Sequence, residues 1–277
     1  STVRRLGIFS HGVDSVQVHR DEPVFDGQFS NQCYQDAVEE AFRDFRAKAE
    51  ADGRWDPEGE TVLTEDWARI IMHLPYAFQA KRMFPAVFAY ERRGSASWAD
   101  VEAEIGLPPS IDDFDDTPDG QAEHTRALDG YRRGISKTEA YRDFHAERIE
   151  KGQRASSLIG NQYTGSIFLA MMSTFESDYE ADSPLDGRLF GLCGYGSGAK
   201  AKVFEGSVSD RWREVVASWN LFERMAGRMA IDQITYEELH KGIHEGSVLN
   251  PRGEFALVEI EGGEGELEGA RTYAWVE

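Results

Sequence analysis

Residues 70–83, IIMHLPYAFQAKRM, read as a strand that stops, turns and becomes a helix. Ile70, Ile71 and Met72 end an apolar run over 67–72, short enough for a buried strand. Pro75 fixes φ where helices favour it, at their first turn, and the spacing predicts a helix over 76–91. His73 stands between the two. It is either a packed core histidine or one placed at a strand end, where binding and catalytic groups concentrate. A helix N-terminus directly after it would disfavour an imidazolium and favour an anion or carbonyl oxygen nearby. Lys81 and Arg82 on the following helix form either a solvated face or a phosphate contact.

Before this stretch, residues 1–30 are mixed and loop-rich, with a turn signal at Asp26-Gly27. Tyr34, Ala37, Val38, Ala41, Phe42 and Phe45 recur at helical spacing. Ser30 or Asn31 is the expected N-cap and Gly53 the expected stop. Residues 53–66 read as a polar loop. After it, residues 94–130 are acidic and rich in Pro and Gly, an expected surface excursion, partly disordered or lid-like. Ser136 and Glu139 have capping-box spacing at the head of a polar amphipathic helix. Residues 166–175 are apolar on nearly every side, which predicts a helix buried all round. A strand, a Gly-rich turn and a strand follow over 187–208, then a mostly helical region over 210–246. EFALVEI and ARTYAWVE close the chain as two strands. Interleaved helices and strands point to an α/β layered fold.

The chain has 277 residues and a 40% apolar fraction, enough for a large core. No apolar run approaches the roughly 20 residues of a membrane helix, and the N-terminus shows no signal-peptide pattern. Ser1 stands where an initiator Met would, so an upstream piece is expected to be removed or absent from the sequence. Two cysteines make neither a disulfide framework nor a metal pair, and a reducing cytoplasm is expected. The net charge of −20, with only seven lysines, repels nucleic acid and anionic membranes.

Asn161, in GNQYTGS (160–166), opens the most apolar helix, either as a plain N-cap or as a donor to a bound carbonyl in a dry helix entry. GYGSG (194–198) matches G-x-S-x-G, but a strand follows where a nucleophile elbow needs a helix, so a serine hydrolase is excluded. Cys33 falls in the expected first turn of its helix, where a thiolate is favoured, yet no base stands near it in sequence. Cys193 sits in an apolar strand and reads as inert.

Taken together, EPVFDGQFSNQCYQDAV (22–38), MHLPYAFQAKRM (72–83), IGNQYTGSIFLAMMSTFE (159–176) and GLCGYGSGAKAKVFEGSV (191–208) resemble hydroxymethylglutaryl-CoA synthase of bacterial type, in order and from about residue 6 to the end. The resemblance implies a thiolase-like layered α-β-α-β-α fold, of which this chain supplies the C-terminal part. It implies condensation of acetyl-CoA with acetoacetyl-CoA to HMG-CoA and CoA, at the head of the mevalonate route, with no cofactor beyond the CoA thioesters. By resemblance His73 positions and polarises the acetoacetyl thioester, and the Gly194 N–H forms half an oxyanion hole. Asn161 hydrogen-bonds the acetoacetyl group, and Ser30 and Ser197 contact the acyl-CoA. Arg82 meets CoA phosphate, with Lys81 beside it. Two positions depart from the family pattern. Gly194 replaces a common serine, and Phe78 stands where many members have a second CoA-binding lysine, so CoA anchoring is weaker or rerouted. The family's nucleophilic cysteine and acid/base glutamate belong to an N-terminal half expected on the same gene or a separate chain. The complete enzyme is expected to be a homodimer. Two other readings stay open: a synthase acting on acyl carrier protein in polyketide β-branching, and a non-catalytic acyl-CoA-binding subunit.

The acidic balance is read either as simple solubility or as adaptation to high salt, which screens self-repulsion. On the second reading the melting midpoint rises between about 0.1 M and about 1 M salt, as the Debye length falls from about 10 Å to about 3 Å. A thermal melt that is flat or falls over that range removes the high-salt reading.

Overall fold

The computed structural model describes residues 27–56, 62–196, 199–244, 246–262 and 265–277. Two compact units divide the chain, one ending at Phe222 and the other running over Glu223–Glu277.

The first unit is built on the strand read from the apolar run. That strand, β1 (Trp67–Met72), is buried at every position except half-buried Arg69. β2 (Leu189–Gly196) lies parallel to it, with Ile70 opposite Gly191, Ile71 opposite Leu192 and Met72 opposite Cys193. β3 (Lys200–Ser207) pairs antiparallel with β2, giving a three-stranded sheet among the described residues.

Helix α1 (Gly27–Ala51) covers one face of the sheet. Its stripe of Tyr34, Val38, Phe42, Phe45 and Ala49 is buried, and Phe42 and Phe45 lie 6.0 and 5.5 Å from the Trp67 ring. The helix starts at Gly27, ahead of the expected caps, so Ser30 and Asn31 lie inside it. It stops as expected before Gly53, whose φ of +66° suits glycine. The expected polar loop over 53–66 ends in buried Val62, Leu63 and Thr64, a 3₁₀ turn leading into β1.

The long crossover from β1 to β2 is helical. α2 (Gln79–Arg92) begins later than Pro75 suggests, because Leu74 first turns into the core and a bend over 75–78 follows. Pro85 sits inside α2 and removes the N–H that would bond the Lys81 carbonyl. The Tyr141 hydroxyl donates to that carbonyl instead, at 3.2 Å.

The acidic excursion is ordered helix for much of its length: α3 (Trp98–Ile105), a 3₁₀ turn and α4 (Pro118–Ile135). Trp98 and Val101 anchor it in the core, and Thr117 caps α4, with Pro118 at its first position. α5 (Glu139–Arg148) is capped by Thr138; Ser136, the expected cap, ends α4 instead. A break at Ile149 separates α5 from α6 (Glu150–Ile159).

α7 (Ser166–Glu180) packs on the other face of the sheet, with Phe175 stacked on Phe190 at 5.0 Å. The expectation of burial all round fails here: Phe168 is 60% exposed. The buried positions are small or polar, among them Ala170, Ser173, Thr174 and Asp178. They let α6 approach closely. The Ser173 hydroxyl donates to the Lys151 carbonyl at 2.6 Å and accepts from the Ala155 N–H at 3.1 Å.

α8 (Trp212–Val216) and α9 (Leu221–Ala226) follow β3. The second unit holds α10 (Gln233–His240) and the expected closing hairpin, β4 (Glu254–Ile260) against β5 (Arg271–Val276).

Gly191 shows how tightly α1 and the sheet are joined. A Cβ there would lie 2.0 Å from Cε3 of the buried Trp67 ring. Gly191→Ala is expected to cost at least about 3 kcal/mol, seen as a large fall in the denaturation midpoint, since a rigid core cannot yield that much space. Gly206→Ala, on β3 with nothing within 4 Å of its Cβ position, serves as the control and should stay near the parent. Equal midpoints for the two variants contradict this packing.

Candidate functional site

The parallel pairing of β1 and β2 brings their carboxyl ends side by side, the place where open α/β sheets bind ligands. His73 follows β1 directly, and its N–H donates to the Cys193 carbonyl at 3.0 Å. Gly194 is the next residue of β2. His73 and Gly194, far apart in sequence, are therefore neighbours in space.

A second contact fixes the histidine from α1. The Tyr34 hydroxyl donates to the His73 carbonyl at 2.8 Å. The Tyr34 and Tyr195 rings meet edge to face at 4.5 Å, and both lie between 6 and 6.5 Å from the imidazole, at 6.4 and 6.2 Å. The backbone of His73 is thus tied, while neither ring nitrogen bonds to another described residue. Burial pushes its pKa below the ordinary histidine value. At neutral pH it is a neutral imidazole with one donor and one acceptor nitrogen. The cause differs from the expectation: α2 begins only at Gln79, so burial rather than a helix N-terminus disfavours the cation.

Gly194 pairs with Lys202, and a Cβ there would meet Ile167 Cδ1 and the Lys202 carbonyl at 3.9 Å. That is ordinary contact, so the position has room for a small side chain. The strand–turn–strand reading of GYGSG holds, since β3 follows the turn. Ser197 lies outside the described residues.

Ile167 ties Gly194 to the mouth of α7, where Asn161 sits. Gly160, with φ of +89°, ends α6. The Asn161 carboxamide oxygen accepts from the Tyr163 N–H at 2.7 Å and the Ser166 hydroxyl at 3.3 Å. This side-chain turn holds Tyr163 at φ of +49°. The Asn161 oxygen is engaged, while its amide N–H₂ bonds to no other described residue. Two expectations change here. Gly165, not Asn161, is the N-cap of α7, and the helix entry is exposed rather than dry among the described residues.

Lys81 and Arg82 are exposed on α2 and line a cavity of about 640 Å³ together with Asn31, Gln35, Arg132 and Arg133. Arg82 also donates to the Tyr76 hydroxyl at 3.1 Å. Ser30, half-buried one residue before Asn31, makes no side-chain hydrogen bond to another described residue. Cys33 lies past the first turn of α1, because the helix starts at Gly27, so the expected thiolate-favouring position is lost. Burial pushes the Cys193 thiol up, in keeping with an inert side chain. Among the described residues no cluster of His, Cys, Asp and Glu could hold a metal ion, and no helix is long and apolar enough to cross a membrane.

Sequence reasoning missed Tyr34, Tyr195, Arg132 and Arg133. Tyr34 was legible only as one member of the α1 stripe, and Tyr195 only as part of a Gly-rich turn. The arginines lie next to the excursion and carry no local signal.

Residues 17–248 match the family described as hydroxymethylglutaryl-coenzyme A synthase C terminal. The hydroxymethylglutaryl-CoA synthase of Haloferax volcanii is 28% identical over 95% of this chain and 56% of that protein. The Saccharomyces cerevisiae hydroxymethylglutaryl-CoA synthase is 25% identical over 83% of this chain and 45% of its own length. The solved structure of MvaS in complex with 3-hydroxy-3-methylglutaryl coenzyme A is 25% identical, with a TM-score of 0.65 over 94% of this chain and 54% of that one. The curacin biosynthetic pathway HMG synthase in complex with holo donor-ACP, 17% identical with a TM-score of 0.58, shares the fold. The expected thiolase-like α/β fold is thus the fold of this chain, which spans about half the length of the relatives it matches.

His73 should titrate below about 6.5 when its imidazole resonances are followed by NMR. A histidine with a lowered folded pKa stabilises the fold above its unfolded pKa, and that contribution is lost as pH falls through the folded value. A midpoint at or above about 6.5 contradicts the half-buried, neutral imidazole.

Proposed function

The chain belongs to the hydroxymethylglutaryl-CoA synthase C-terminal family, and from that premise we propose that it forms the acyl-acceptor side of a synthase joining acetyl-CoA to acetoacetyl-CoA. The observation that carries the reading is the neutral imidazole of His73, unpaired among the described residues and held beside Gly194 at the carboxyl ends of β1 and β2. An acyl acceptor needs its carbonyl held and polarised, and charge developing on oxygen needs fixed donors in a partly dry site. The donor nitrogen of His73 meets the acetoacetyl group. The Gly194 N–H supports the oxyanion, and the Asn161 amide orients the acyl chain. Ser30 and Ser197 contact the acyl-CoA, and Lys81 and Arg82 meet its phosphates.

The carbon nucleophile arises elsewhere. An acetyl-cysteine and an acid/base glutamate come from the N-terminal half of the complete enzyme, on the same gene or a separate chain. The buried thiol of Cys193 and the helical position of Cys33 support neither as that nucleophile. The reading carries with it the mevalonate route, a homodimer of the complete enzyme and a cytoplasmic setting. The net charge of −20 supports a high-salt one.

The test is made on the complete enzyme, with the acetylation and condensation steps measured separately. His73→Ala is expected to lower condensation by about 10²- to 10³-fold, the range for losing one oxyanion-type donor, and to leave cysteine acetylation largely intact. Both steps surviving overturns the role of His73. No condensation by the unaltered complete enzyme with CoA thioesters overturns the function.

A further inference from the structure

We propose that Arg132 and Arg133, in the last turn of α4, close a polyphosphate basin with Lys81 and Arg82 and hold the nucleotide phosphates of the acyl-CoA, an inference resting on the acyl-CoA reading above. The basin is the cavity of about 640 Å³ between α2 and α4, a size suited to a nucleotide head group. Four cationic side chains from two helices line it, against the single carboxylate of Asp129. In a chain with a net charge of −20, such a concentration of one sign needs a reason.

Among the described residues, pairing supplies it for Arg132 alone. Arg132 reaches Glu39 at 3.5 Å and Asp129 at 3.6 Å, which holds its guanidinium in place. Among the described residues Lys81, Arg82 and Arg133 have no carboxylate within 4.0 Å. Helix dipoles explain only half of the cluster. Arg132 and Arg133 sit favourably at the C-terminal end of α4. Lys81 and Arg82 sit in the first turn of α2, the positive end, where cations are disfavoured. Like charges gathered there are relieved by a multivalent anion. Arginine forks bind phosphate bidentately, so two α4 arginines suit a 3′-phosphate and a diphosphate better than a lone lysine does. Phe78, 62% exposed and lining the same cavity, adds an aromatic face for an adenine ring. The lysine that Phe78 displaces is thereby replaced from across the cavity.

Calorimetric titration of the full chain with CoA, dephospho-CoA and adenosine 3′,5′-bisphosphate tests this. Arg133→Ala, at an exposed position, is expected to keep the parent melting curve. It should weaken CoA and the bisphosphate about tenfold, as the loss of one charge-assisted contact does. Arg133→Lys should recover part of the loss, and dephospho-CoA should bind the unaltered chain more weakly than CoA. Unchanged CoA affinity in Arg133→Ala and in an Arg132→Ala/Arg133→Ala double variant overturns the proposal, as does an unaltered chain that binds neither nucleotide. Condensation in the complete enzyme is read independently, so loss of this basin and loss of the synthase reading are distinguishable.

Discussion

One buried carboxylate sets the height of β1 against its covering helices. Asp178 of α7 is fully buried, and Arg69 of β1 grips both its oxygens, at 2.8 and 2.6 Å. Lys151 of α6 bonds the same carboxylate. Burial pushes the Asp178 carboxyl up, but donors from Arg69, Lys151 and Ser183 outweigh it and hold the pKa below the ordinary value. The contribution to stability is therefore present above the unfolded pKa and lost as pH falls through the folded one. Removing one partner of such a group costs about 3–5 kcal/mol, because a charge is left buried and alone. With β1 and α7 locked together, β1 fixes where His73 emerges, and α7 carries Ile167 to Gly194 and the Asn161 turn to the sheet end.

The site is built by freezing backbones and leaving side-chain donors uncommitted. His73 spends its N–H on Cys193 and its carbonyl on Tyr34, yet neither ring nitrogen bonds to another described residue. Asn161 commits its oxygen to the local turn and keeps its N–H₂. The Lys81 carbonyl, freed by Pro85, is taken up by Tyr141, while its ammonium faces the cavity. Donors held this way need little rearrangement to meet charge on a bound group.

Charge is distributed in the opposite sense to composition. The chain is acidic overall, and its exposed carboxylates repel most anions at long range. The cavity between α2 and α4 reverses that sign locally. The acidic surface and the basic lining of this cavity thus carry opposite signs.

The sequence by itself determined the strand at 67–72, the stripe of α1, the hairpins and the α/β class, because apolar periodicity and turn residues act over a few neighbouring positions. It also singled out His73, Asn161 and Gly194 through their motifs. It misplaced the starts of α1 and α2: Ser30 and Asn31, the cap types it singled out, lie inside α1, and α2 begins after Phe78, which makes no side-chain capping bond. It misjudged α7, because apolar side chains on a helix do not reveal which side is covered; the buried stripe is small and polar, and Phe168 faces out. Only the tertiary structure decided that His73 lies next to Gly194, because parallel pairing across a long helical crossover leaves no local trace. Only it could turn the α4 arginines toward Lys81, since charge convergence between two helices depends on how they pack and not on the residues beside each cation.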